Sequence, residues 1–140
     1  MTDRLALLAL VVVGFLLLGL WLRARPRMLT RRLRPGALAD LGLNGGAAVL
    51  AFTSPDCVAC EAAQRPALQA LRARTPDRVA IREVDVLAFP DLVRTLGIFS
   101  VPSTVIVNRG EVLAINIGYA SVDRLLAQLS AARVDGAPAD

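Results

Sequence analysis

The chain has 140 residues, 55% of them apolar, with 16 basic side chains against 12 acidic ones, and no histidine. That length holds one ordinary domain of roughly 100 residues plus an appendage rather than two cores. The missing imidazole removes the usual neutral-pH proton shuttle and the commonest metal ligand, leaving cysteine, carboxylate and backbone groups for chemistry.

The apolar excess concentrates between Leu5 and Leu22, LALLALVVVGFLLLGLWL, which contains no charged residue. At about 1.5 Å per residue this run nearly matches a hydrocarbon core of about 30 Å. Trp21 sits at the interfacial end, and Pro26 disfavours helix at Arg25. Residues 1–25 are therefore expected to form a single transmembrane anchor. A cleaved signal peptide fits less well, because its apolar region is shorter and Leu20-Trp21-Leu22-Arg23 offers no small-x-small cleavage site. A buried soluble helix fits worse, since a small domain could not cover an all-apolar surface of that length.

The basic residues cluster just after this run, as Arg23, Arg25, Arg27, Arg31, Arg32 and Arg34, whereas residues 35–140 hold nine arginines and eleven acidic residues. A nucleic-acid surface is therefore not expected. The cluster instead orients the anchor. The positive-inside rule places the following domain in the cytoplasm, with the extracytoplasmic face as the alternative. The lipid bilayer is the first expected partner.

Residues 26–46 read as a basic, then Gly-rich linker, with Pro35–Leu43 able to form a short helix and Asn44-Gly45-Gly46 a turn. A domain is expected over residues 47–132. Ala47–Thr53 reads as a buried strand broken by Ser54-Pro55-Asp56, and a helix follows from about Cys57 to Ala73. Val79–Val86 is the next strand, Pro90–Leu96 a short helix and Thr104–Asn108 a third strand. Asn108-Arg109-Gly110-Glu111 is a hairpin turn into Val112–Gly118. A last helix runs from a Ser121 cap to about Ala131, with Asp123 at its positive end. Residues 133–140 read as a disordered tail. The order strand, helix, strand, helix, strand, strand, helix describes an α/β fold with a mixed sheet flanked by helices.

The chain's two cysteines lie three apart as Cys57-Val58-Ala59-Cys60, too close to staple a fold, and so read as a site. At a helix N-terminus the first thiol meets unpaired amides and the positive dipole end, which favour the nucleophilic thiolate. Cys57 is then the attacking sulfur, and Cys60, one turn on, the thiol that resolves a mixed disulfide. A metal role is also open, with two thiolates on a soft ion such as Cu(I), although no His or nearby Met completes that shell.

The sequence resembles the thioredoxin superfamily over roughly residues 47–131. The likeness rests on the strand Ala47–Thr53 leading into Cys57-Val58-Ala59-Cys60, on Val84-Asp85-Val86, on the segment Gly97–Glu111 containing Val101-Pro102, and on Gly118. The resemblance implies a thioredoxin-like mixed sheet behind the transmembrane helix. It also implies a cis Val101–Pro102 peptide beside the cysteines, with the Val101 backbone binding an extended substrate strand. The implied activity is thiol:disulfide oxidoreduction, with protein disulfides or dithiols as substrates, an unidentified redox partner, no cofactor and no metal.

Departures from the family pattern are equally specific. Asp56 stands where the family has Trp; it opposes thiolate formation at Cys57 while the helix end favours it, and it reads equally as a helix cap. Val58-Ala59 replaces Gly-Pro. The family's buried acid and its lysine companion fall at Ala51 and Ile81, both apolar. Glu61 is the adjacent carboxylate, with a solvated dipole partner as its plainer reading. Pro66 is placed to kink the active-site helix. These departures keep a second function open, a redox-inert thioredoxin-like interaction module of a membrane complex.

Overall fold

Ala48–Thr53 (β1) is the strand on which the domain is built, and its sequence AVLAFT shows why. Ala48, Leu50 and Phe52 point to one face and Val49 and Ala51 to the other, and all five are buried. A strand covered on both faces reads as a continuous apolar run instead of alternating with polar residues. This computed structural model describes residues 2–24, 32–34 and 36–132, with side chains over 6–20 in the first of these stretches.

The sheet has four strands. Ala80–Asp85 (β2) pairs in parallel with β1, Ser103–Asn108 (β3) antiparallel with its other side, and Glu111–Ile117 (β4) antiparallel with β3, giving the order β2-β1-β3-β4. The mixed α/β sheet expected from the element order is thus present. The β3–β4 turn places Arg109 and Gly110 at φ 50° and 78°, the paired left-handed conformation that matches the twist of a tight hairpin. One extra β4 residue, Leu113, sits where the register slips between Ile106 and Val107.

Helices cover both faces. Arg65–Arg74 (α2) and Val122–Ala131 (α4) place Leu68, Leu71, Leu125 and Leu129 against Val49, Ala51, Ile81 and Ile106. Pro90–Leu96 (α3) places Leu92 and Leu96 against Leu50, Phe52, Val84 and Val105 on the opposite face. The Ser121 hydroxyl accepts from the Arg124 amide and caps α4, as its position before an acidic first turn predicts.

Two elements differ from the sequence reading. Residues 36–42 are a chain of hydrogen-bonded turns instead of a short helix, with spacings that vary from Leu41 N–H to Leu38 O, to Asp40 N–H to Gly36 O, to Leu43 N–H to Leu38 O. The mixed spacing brings Leu38 and Leu43, with Leu33, onto the α3 face of the sheet, where all three are buried. Leu33 is held there by its amide donating to Gly110 O at 2.8 Å, beside an antiparallel bridge between Arg32 and Glu111. The second difference is in the helix after Cys57. Cys60–Gln64 is wound as a π-helix, closed by the Arg65 amide on Cys60 O, before α2 begins. Pro66 is at the first turn of α2. A proline there has no N–H to give and its ring crowds the turn behind it, and a locally widened helix relieves that conflict.

Thr2–Ala24 (α1) is helical. Residues 6–20 rise about 22 Å at 1.5 Å per residue. Among the described residues no helix is long and apolar enough to cross a membrane. The side chains of Trp21 and Arg23, residues 25–31, Pro35 and the tail 133–140 lie outside what is described.

Candidate active site

The carboxyl end of β1 leads through Ser54-Pro55-Asp56 to Cys57, and the Cys57 amide donates to Ser54 O at 3.2 Å to close that turn. Cys57 and Cys60 are joined by a disulfide with an S–S distance of 2.09 Å. Cys57 is half-buried and Cys60 only 6% exposed. The Cys60 amide donates to the Cys57 sulfur at 3.1 Å. A backbone N–H aimed at a sulfur stabilises negative charge on that atom, so Cys57 is the sulfur that gains from ionising when the bond is reduced.

Strand register brings the second part of the site to the same end of the sheet. Ser103 pairs with Phe52 across β1 and β3, which sets Pro102 beside Thr53, one strand spacing of about 4.8 Å away. The Val101–Pro102 peptide is cis. Its loop is tied at two points. The Ser103 hydroxyl donates to Ser100 O at 2.6 Å, and the Gly118 amide donates to Pro102 O at 2.9 Å. Gly118 has φ +88°, a conformation that side chains disfavour and that lets the chain leave β4 while its amide stays on the loop. Val58, Leu87, Phe99 and Tyr119 are exposed around this end of the sheet, Phe99 to 83%.

The acidic residues near the cysteines part company. Asp56 is exposed and makes no hydrogen bond to the helix start among the described residues, so it is not a cap. Glu61 is exposed and pairs with Arg65 one turn along. Arg65 also grips Glu83 with two bonds, Nε to Oε1 at 3.3 Å and Nη2 to Oε2 at 3.2 Å. Hydrogen bonding to Glu83, then to Glu61, holds the guanidinium above its ordinary range. Because that shift is upward, the guanidinium remains charged on these contacts throughout the neutral range, and the contribution of its charge is lost only as pH rises above the ordinary guanidinium range.

Three residues of this region escaped the sequence reading. Gln64 is buried and bonds Ala120 twice, its Nε2 donating to Ala120 O at 3.1 Å and its Oε1 accepting from the Ala120 amide at 2.9 Å. Its position four residues after Cys60, on the same helical face, was the available signal. Arg65 and Glu83 are the others. Glu83 shares a β2 face with Ile81, and nothing in its local sequence shows that the active-site helix covers that face. A cleft below Cys60 is lined by Ala51, Gln64, Arg65, Leu68 and Glu83 among others. Ala51 and Ile81 face the helix as apolar residues. No group of three or more His, Cys, Asp or Glu side chains that could hold a metal occurs among the described residues.

The family model described as Thioredoxin matches residues 40–131, well over half of the chain. The chain belongs to the thioredoxin family. Solved thioredoxin-like structures show the same fold at low identity. One, described as a malarial protein, is 23% identical with a TM-score of 0.56, over 61% of this chain and 96% of the other. Another is thioredoxin-2 of the malaria parasite, described as a component of its protein secretion machinery. It is 23% identical with a TM-score of 0.57, over 61% of this chain and 82% of the other. No curated protein matches. This family member carries a bonded cysteine pair at the start of its active-site helix.

Proposed function

We propose that this thioredoxin-family chain is a membrane-tethered thiol:disulfide oxidoreductase exchanging disulfides with protein substrates through Cys57 and Cys60. The observation that carries this reading is the asymmetry of the pair: a half-buried Cys57 sulfur that accepts the Cys60 amide, bonded to a buried Cys60. In the reduced protein, Cys57 thiolate attacks a substrate disulfide and forms a mixed disulfide. Cys60 then attacks the Cys57 sulfur, closing the intramolecular bond and releasing the substrate as a dithiol. The Val101 backbone groups have no partner among the described residues, which leaves them available to an extended substrate strand. The exposed Val58, Leu87, Phe99 and Tyr119 side chains supply apolar contact for it.

Tethering is supported by α1. Leu7, Leu10, Phe15, Leu16 and Leu20 are 64–73% exposed, and a helix apolar on every side calls for apolar surroundings. The uncharged run Leu5–Leu22 lies within Thr2–Ala24, and as helix it rises about 27 Å against a hydrocarbon core of about 30 Å. The arginine cluster on its carboxyl side favours a cytoplasmic domain.

Insulin reduction by the full-length protein in detergent micelles tests the chemistry. Cys57→Ser is expected to lower turnover to background, and turnover unchanged by that substitution would sink the proposal.

A further inference from the structure

The two edge strands of the sheet are surfaced differently. β2 exposes Arg82 and Glu83, charges of the kind that keep an open edge from sticking. β4 exposes Leu113, Ile115 and Ile117 to 37–42% and has no charged residue after Glu111. Ile115 and Ile117 pair with Val105 and Ser103, but they stand outside the core cluster beneath α3. They form an apolar strip on a strand about 20 Å long.

Both ends of the strip have a defined neighbour. β4 is antiparallel to β3 and β3 to β1, so β4 runs with β1 and its Ile117 end is the cysteine end of the sheet. There the Gly118 amide holds Pro102 O, and Tyr119 is 51% exposed. At the other end Arg32, Arg34 and Arg109 are exposed around the bridge between Arg32 and Glu111.

The chain that leads to this strand says what covers it. α1 ends at Ala24, and Arg32 is already bridged to the first residue of β4. The intervening steps, from 24 to 32, span at most about 28 Å when fully extended. The anchor is thus tied to the β4 edge and not to the charged β2 edge. Resting on the membrane-tethered oxidoreductase reading above, we infer that the β4 flank lies on the anionic surface of the bilayer that holds α1, and that the substrates are disulfides of membrane proteins close to that surface.

The chemistry of the flank suits that occupant. Apolar side chains enter the headgroup layer while arginines beside them meet lipid phosphates. A strip this narrow would bind vesicles weakly from solution, but the tether keeps it at high effective concentration. Lying along the bilayer, β4 brings the Val101–Pro102 loop and Cys57 to the height at which a membrane protein's first residues outside its span emerge. The redox step is unchanged: the substrate disulfide gains two electrons and two protons, and the Cys57–Cys60 dithiol loses them.

Tryptophan emission tests the contact. In full-length protein carrying Trp21→Phe, which removes the one native tryptophan, Ile115→Trp is placed in nanodiscs of phosphatidylcholine and phosphatidylglycerol that contain a lipid spin-labelled at its headgroup. Its emission is expected to fall about twofold against unlabelled discs, because an interfacial side chain lies in the headgroup layer. Ala80→Trp, exposed on β2 and about 14 Å across the sheet, should keep its emission. Ile117→Trp gives the reading if Ile115→Trp does not fold. No quenching on β4, or equal quenching at position 80, overturns the proposal. Shielding of position 115 only when two copies share a disc also overturns it and assigns the strip to a second copy.

The substrate class is read in liposomes of the same lipids. Joint Ile115→Glu and Ile117→Glu should slow reduction of a disulfide just outside the span of a membrane-spanning peptide about tenfold, with insulin reduced at the wild-type rate. Unchanged turnover of the membrane peptide, or equal slowing on insulin, overturns the assignment. Failure of the wild type to reduce insulin would count against the oxidoreductase reading instead, and its release from membranes by carbonate against the tether.

Discussion

Both ends of the Gln64 amide bond to Ala120, a residue with no exposed surface. Those bonds fasten the loop after β4 to the first turns of the active-site helix. Gln64→Ala leaves a buried N–H and a buried C=O unpaired, at about 1–3 kcal/mol each. The expected outcome is a loss of about 2–6 kcal/mol, read as a lower urea midpoint with an unchanged denaturant slope. A midpoint equal to that of wild type would show that water replaces the amide at no cost. At this scale the cysteine pair was plain from its spacing. Gln64 was not, because its partner lies 56 residues away. Glu83 was hidden for the same reason: only the pairing of β2 with β1 puts it under the helix that carries Cys60.

Strands and helices were readable wherever burial repeats along the chain. β1 and β3 are apolar runs closed by turn residues, and α4 starts at a serine with an acid in its first turn. The π-helical turn at Cys60–Gln64 was not readable, since hydrogen-bond spacing inside a helix leaves no periodic trace as short as five residues. The segment before β1 is the larger case. Composition marks residues 26–46 as linker, yet Leu33, Leu38 and Leu43 belong to the core cluster beneath α3. Burial of a leucine is worth about 1.5–3 kcal/mol. Removing all three thus approaches the whole stability of an ordinary domain, about 5–15 kcal/mol. A fragment of residues 46–132 is therefore expected to remain unfolded, or to melt far below one of residues 28–132, when both are followed by circular dichroism. Equal melting temperatures would show that the segment only rests on the sheet.

For the molecule as a whole, the prediction concerns where the domain sits. With α1 as an anchor and the arginines on its carboxyl side, the protein should stay with membranes through an alkaline carbonate wash. Cys57 should react with an impermeant thiol reagent only after cells are lysed. Release by carbonate would remove the anchor, and labelling of intact cells would place the domain on the opposite face. The compartment matters to the chemistry, because a reducing cytoplasm favours a reductant and an oxidising exterior keeps disulfides formed.

By itself, the sequence determined several features that depend on neighbours along the chain: the apolar helix and its charged flank, the buried strand Ala48–Thr53, the helix cap at Ser121, and two thiols one helical turn apart. These are set by spacing and side-chain chemistry, which need no knowledge of the fold. The tertiary structure alone decided which distant residues meet at the carboxyl end of β1. It brings the Val101–Pro102 loop beside Thr53, Ala120 onto Gln64, and Glu83 into the cleft below Cys60. The reason is physical: a sheet register is fixed cooperatively by the burial of two whole faces, and no single residue in it carries the information of which partner it will face.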